Sequence, residues 1–115
     1  DALYAAARAN DMPLLPGVAT ASEIMRGLEH GVDTFKFFPA AASGGTALLA
    51  AWNGPFADVR FCPTGGITAT TARDYLTLPN VLCVGGTWLT PNALLQAGDY
   101  AAIGALAAQA AVLNS

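Results

Sequence analysis

Four apolar, strand-like segments alternate with amphipathic helical segments along this chain, and that alternation predicts an α/β fold with a parallel sheet covered by helices. Three observations carry the prediction. Strand, turn and helix recur about every 20 to 26 residues; the strand segments are apolar at consecutive positions rather than alternating; and a short extra helix follows the last strand. A short helix in that place is what (β/α)8 barrels use, with the loops after their last two strands, to hold a phosphate. The expected architecture is therefore a TIM barrel of which this chain supplies the last four βα units, strands five to eight, plus a C-terminal helix. Residues 1–115 are expected to form one unit, the C-terminal half of a single barrel domain. A doubly wound sheet shows the same alternation, but LLPGVAT lacks the G-x-G-x-x-G turn such a sheet favours after its first strand.

The elements follow in order. ALYAAARAN reads as part of a helix, so the chain is expected to start inside a longer sequence. MPLLPGVA (12–19), DTFKFFPA (33–40), VRFCPTGG (59–66) and NVLCVGGTWL (80–89) read as strands, each stopped by Gly or Pro. SEIMRGLEHG, GGTALLAAWNG and TATTARDYLTL read as helices by their three-and-four apolar spacing. Glu23 stands three residues after Thr20, as in a capping box. His30 precedes Gly31 at a helix end, where imidazole interacts with terminal carbonyls. TPNALLQAG reads as a short helix with Thr90 as N-cap and Pro91 at its first position, and DYAAIGALAAQAAVLN as a longer one capped by Asp99.

Composition narrows the function classes. The chain is 54% hydrophobic and 11% charged, against about 25% charged in an average domain, so much of its surface is expected to be apolar or covered. Four arginines and Lys36 are its only cations and its net charge is -3, which offers no basic stripe for nucleic acid. AAIGALAAQAAVL is too short to span a bilayer, and no signal peptide is visible. Cys62 and Cys83 lie in apolar runs without metal-type spacing and read as small core residues, consistent with a reducing cytoplasm. No metal or cofactor is called for. Arg73 and Asp74 read as solvated, and Trp52 and Trp88 as packing.

The informative residue is Lys36, the chain's single lysine, set between Phe35, Phe37 and Phe38. In a strand Thr34, Lys36 and Phe38 share one face. In a barrel interior, burial among aromatic rings lowers an amine below its usual value of about 10.4 and leaves it a nucleophile. Such an amine attacks a ketone to give a protonated Schiff base, an electron sink for carbon–carbon cleavage. The bland arrangement has Lys36 snorkelling to the strand end or pairing with Asp33 or Glu29. Composition leaves both open.

Two glycine pairs end consecutive strands, Thr64-Gly65-Gly66 and Gly85-Gly86-Thr87. Glycine lets backbone amides approach an anion, a following helix N-terminus adds a favourable dipole, and Thr87 adds a hydroxyl. Each pair also suits an ordinary tight turn; together with a short helix they point to a phosphate site.

At FKFFPA, PTGGI and VGGTWL, and also through PLLPGVATASEIM, GPFADVRFCPTGGI, RDYL, VLCVGGTWL and LQAGDY, the sequence resembles the 2-keto-3-deoxy-6-phosphogluconate (KDPG) and 4-hydroxy-2-oxoglutarate aldolases. The resemblance implies a class I, metal-independent aldolase on a (β/α)8 barrel, usually a homotrimer, acting in the Entner–Doudoroff pathway. Its reaction splits the phosphorylated keto acid into pyruvate and glyceraldehyde 3-phosphate. By resemblance Lys36 matches the Schiff-base lysine; Gly65, Gly66, Gly85, Gly86 and Thr87 match the phosphate loops; and Thr64, Phe38 and Pro16 match substrate-pocket positions. The family often has serine where Thr87 stands and glutamate where Ala41 stands. Its general acid-base glutamate, and the arginine and threonine that bind the pyruvate carboxylate, come from the first half of the barrel, so this chain alone is expected to be severely impaired and to associate through its open sheet edges. Two other classes stay open: a half-barrel that binds phosphate or assembles without chemistry, and a sugar-phosphate isomerase in which Lys36 is merely packed.

Overall fold

The computed structural model describes residues 1–113. Its strands are β1 (Gly17–Val18), β2 (Thr34–Phe37) and β3 (Arg60–Pro63), all parallel in the order β1-β2-β3. Its helices are α1 (Ala2–Ala9), α2 (Ala21–Glu29), α3 (Gly45–Trp52), α4 (Ala72–Leu76), α5 (Asn92–Ala97) and α6 (Tyr100–Ala111), with a 3-10 turn at Thr87–Leu89.

The sheet is polarised by its pleat. Phe35 and Phe37 of β2 and Phe61 of β3 are fully buried on the helix side, where Trp52 of α3 packs edge-on to Phe37 at 5.4 Å and stacks with Phe61 at 5.6 Å. Helix α2 presses so closely that a Cβ on Gly27 would lie 2.2 Å from the Phe35 ring. On the opposite face Thr34, Lys36, Arg60 and Cys62 are only partly buried. The strands are therefore not covered on both faces as the apolar runs suggest.

Helix α2 starts with the capping box the sequence predicts: Thr20 Oγ1 accepts from the Glu23 amide and the Glu23 carboxylate accepts from the Thr20 amide. It ends in a Schellman turn, in which Val32 N donates to Gly27 O, Gly31 N donates to Leu28 O, and Gly31 sits at φ +77. His30 does not cap carbonyls with its ring. It stacks on Tyr4 at 4.5 Å and its Nε2 lies 2.9 Å from the Asp1 carboxylate, which also pairs with Arg26.

Four elements differ from expectation for local reasons. The first strand shrinks to Gly17–Val18 because Pro13 and Pro16 have no N–H to donate. The fourth segment forms only isolated bridges, Phe61↔Val81 and Thr64↔Gly85. The offset changes between the two bridges, so residues 82–84 face residues 62–63 and the ladder bulges. Helix α4 starts only at Ala72: the Thr68 amide donates to Thr71 Oγ1 at 3.0 Å and the Thr71 amide to Thr68 Oγ1 at 3.3 Å, which diverts the backbone from helical bonding. In α5 the N-cap is Pro91, not Thr90, and no side chain caps it. Asp99 does cap α6, accepting from the Ala102 amide at 3.0 Å; Asn114, the last residue expected for α6, lies outside the described residues. Among the described residues no helix is long and apolar enough to cross a membrane.

Candidate active site

Lys36 lies mid-strand in β2 with Gly17 as its register partner on one side and Cys62 on the other. Gly17 has no side chain and nothing lies within 4 Å of where its Cβ would stand. The flank of Lys36 is thus kept open by a glycine. Its ammonium nitrogen sits 4.7 Å from the centroid of the Phe38 ring, two residues along the same face, a separation at which the ring face attracts the cation. The aromatic enclosure is one-sided, because Phe35 and Phe37 point to the helix layer and Lys36 stays partly exposed. Among the described residues Lys36 joins no ion pair, and the Asp33 carboxylate accepts from the Thr34 hydroxyl at 3.0 Å instead.

Beyond Phe38, at the C-terminal ends of the parallel strands where ligands of α/β sheets bind, a cavity of about 520 Å³ is lined by Phe38, Thr64, Gly65, Gly66, Thr68 and Gly86, with Ile67 and Thr87 closing it. Among the described residues the amides of Gly65, Gly66, Gly86 and Thr87 donate to no protein acceptor. Four free N–H groups around one cavity, with threonine hydroxyls among them, form a cradle suited to an anion.

The two glycine pairs serve for different reasons. Gly65 and Gly66 have φ +100 and +72, where a side chain is strained. Gly86 is extended and glycine there makes space, since a Cβ would come 1.9 Å from the Trp88 ring. Gly85 does not line the cavity: its amide donates to Pro63 O at 2.9 Å, and its missing Cβ leaves room for Thr64 Oγ1 at 2.7 Å. Pro16 does not line it either; its carbonyl accepts from the Lys36 amide at 2.9 Å and so fixes β1 against β2. The helix dipole expected behind each pair is also missing, because α4 begins six residues beyond Gly66 and only a three-residue 3-10 turn follows Gly86.

The cysteines are not core residues. Cys62 is partly buried, on the Lys36 face of β3, and Cys83 is exposed, in the bulged fourth segment. Although the residue keeps exposed surface, partial desolvation of its thiol, then the neighbouring Cys62 thiol, pushes Cys83 up to about 11. Sequence reasoning missed Gly17 and Cys62 as the flanks of Lys36, a matter of inter-strand register, and missed Thr68 as a cavity residue, although its place two residues after Gly66 was a signal.

Residues 1–106 match the family described as KDPG and KHG aldolase. A 2-dehydro-3-deoxy-phosphogluconate aldolase of Pseudomonas aeruginosa is 53% identical over 96% of this chain and 50% of its own length, and a KHG/KDPG aldolase of Escherichia coli is 54% identical over 94% and 51%. Among solved structures, a KDPG aldolase from Legionella pneumophila with pyruvate captured as a covalent carbinolamine intermediate superposes with TM-score 0.88 at 48% identity, covering 90% of this chain and 50% of that one. The aldolase of Zymomonas mobilis with 3-phosphoglycerate gives 0.85 at 50% identity, covering 93% and 50%. The chain spans about half the length of the curated relatives it matches. Over that half the identity exceeds 50% and the match to the family runs from residue 1 to 106: the chain belongs to the KDPG and KHG aldolase family.

Proposed function

We propose that this chain is the lysine- and phosphate-bearing half of a (β/α)8 class I aldolase that cleaves 2-dehydro-3-deoxy-6-phosphogluconate to pyruvate and glyceraldehyde 3-phosphate. 4-Hydroxy-2-oxoglutarate, cleaved to pyruvate and glyoxylate, is the second substrate. The observation that carries the reading is Lys36 beside Phe38, with a cradle of free amides one step further along the strand ends. The carbinolamine of the Legionella relative supports the same chemistry.

The neutral Lys36 amine attacks the C2 ketone, and the carbinolamine loses water to give a protonated imine. The C3–C4 bond then breaks: its electrons move into the imine to form an enamine, and the C4 hydroxyl proton leaves as the aldehyde forms. Protonation at C3 and addition of water release pyruvate and free Lys36. The amides of Gly65, Gly66, Gly86 and Thr87 hold the phosphate, Thr64 and Phe38 line the path between, and Pro16 and Gly85 position neighbouring backbone. The acid-base and carboxylate-binding groups are assigned to the first half of the barrel; general acid-base help is worth about 10² to 10⁴ in rate, so this chain alone turns over slowly. We place the whole enzyme in the Entner–Doudoroff pathway, in the cytoplasm and as a homotrimer, on the family resemblance.

Borohydride reduction in the presence of pyruvate, read by intact and peptide mass spectrometry, tests this. A reduced pyruvate adduct confined to Lys36 and absent from Lys36→Ala is expected; folded protein without any adduct refutes the class I reading and leaves the non-catalytic binding module.

A further inference from the structure

Beside Lys36 stand two thiols that the aldol chemistry does not use, one on its own face of the sheet and one on the next segment. Cys62 is the register partner of Lys36, and Cys83 lies on the adjoining segment. The bridges Phe61↔Val81 and Thr64↔Gly85, with Leu82 N donating to Phe61 O and Gly85 N to Pro63 O, bracket both cysteines between two points of backbone pairing. Paired strands run about 4.8 Å apart, a spacing at which thiols from the two bracketed stretches come within reach of a single bridging atom. The Cys62 thiol also contributes to raising the Cys83 thiol, as neighbouring side chains do. A thiol held protonated at neutral pH reacts poorly with peroxides or disulfides, which need the thiolate. It remains suited to condensation, in which its proton leaves as part of water.

We propose that Cys62 and Cys83 form a two-thiol site, beside Lys36, that takes a trivalent organoarsenical. In the reaction two As–O bonds and two S–H bonds break, two As–S bonds form, and two molecules of water leave from R–As(OH)₂. Arsenic stays trivalent and no oxidant is consumed. The organic group of the bound arsenical then stands on the Cys62 side of Lys36, opposite the flank left open by Gly17, and blocks pyruvate from the amine, a consequence that rests on reading Lys36 as the imine-forming amine.

Phenylarsine oxide is the probe, added to the chain and followed by intact mass and free-thiol titration. One arsenical per chain with loss of both thiols is expected, released by 2,3-dimercaptopropanol but resistant to an equal excess of a monothiol. Two-point attachment should hold the arsenical at least about 100-fold more tightly than one thiol, so Cys62→Ser and Cys83→Ser should each lose the resistant adduct while Lys36→Ala keeps it. No adduct, an adduct that the monothiol strips from the unmutated chain, or a resistant adduct in either serine variant overturns the proposal. Pyruvate trapping on the loaded chain should fall to the level of Lys36→Ala; unchanged trapping overturns the blocking arm. An arsenical adduct on a chain that never traps pyruvate would refute the lysine reading and leave the thiol site standing.

Discussion

Gly65 is held against Phe38: a methyl group on Gly65 would come 3.1 Å from ring atoms Cδ2 and Cε2 and 3.1 Å from Pro39 Cα. Through this contact the amide cradle and the residue that faces Lys36 become one packed unit. At φ +100 a side chain at Gly65 is also strained. Gly65→Ala should therefore cost about 1–3 kcal/mol of stability and displace Phe38, slowing pyruvate trapping at Lys36 as well as weakening phosphate binding. A thermal melt and the trapping rate measure the two effects; a Tm unchanged from the parent would contradict the strain.

Gly86 and Gly17 make an opposed pair. Alanine at Gly86 drives into Trp88, and overpacking of this kind costs about 1–3 kcal/mol. Alanine at Gly17 meets nothing within 4 Å and should leave stability within about 0.5 kcal/mol, yet it places a methyl beside Lys36. The expected result is a lowered Tm with Gly86→Ala and a normal Tm with slower trapping for Gly17→Ala. Equal melts for both variants would be inconsistent with the packing described.

The start of α2 should respond to acid. The Ala19 amide, with help from Thr20, holds the Glu23 carboxyl below its usual range despite partial burial. A carboxyl depressed in the folded state contributes stability above its unfolded value, about 4.3, and loses that contribution as pH falls through its lower folded value. Glu23→Gln should thus narrow the difference in Tm between pH 7 and pH 3 relative to the parent. Thr20→Ala should cost about 0.5–2 kcal/mol at pH 7, checked by denaturant titration.

Asn80 is fully buried; its Nδ2 donates to Leu49 O at 2.8 Å, and its Oδ1 has no partner. It ties the end of α3 to the segment entering the fourth strand position. Asn80→Ala leaves the Leu49 carbonyl unsatisfied and should cost about 1–3 kcal/mol. Asn80→Asp should be worse at pH 7 than at pH 5, since the buried carboxylate must be desolvated. Denaturant melts of both variants at the two pH values decide this; a carboxylate tolerated at pH 7 would mean the site admits water.

The order of strands and helices, the Thr20–Glu23 capping box, the Asp99 cap, and the choice of Lys36 and the Thr64-Gly65-Gly66 and Gly86-Thr87 turns as candidate chemistry were all legible in the residues themselves. These are properties of residues near one another along the chain, set by capping, periodicity and glycine geometry. Long-range packing was needed to learn that Gly17 and Cys62 flank Lys36, that Gly85 makes room for Thr64 rather than lining the cavity, that neither cysteine is buried in the core, and that the fourth segment bulges into isolated bridges. Each of those depends on inter-strand register and on which face of the sheet the helices cover. A shift of one residue in register would exchange the faces, and no local pattern in the chain records which neighbour that register supplies.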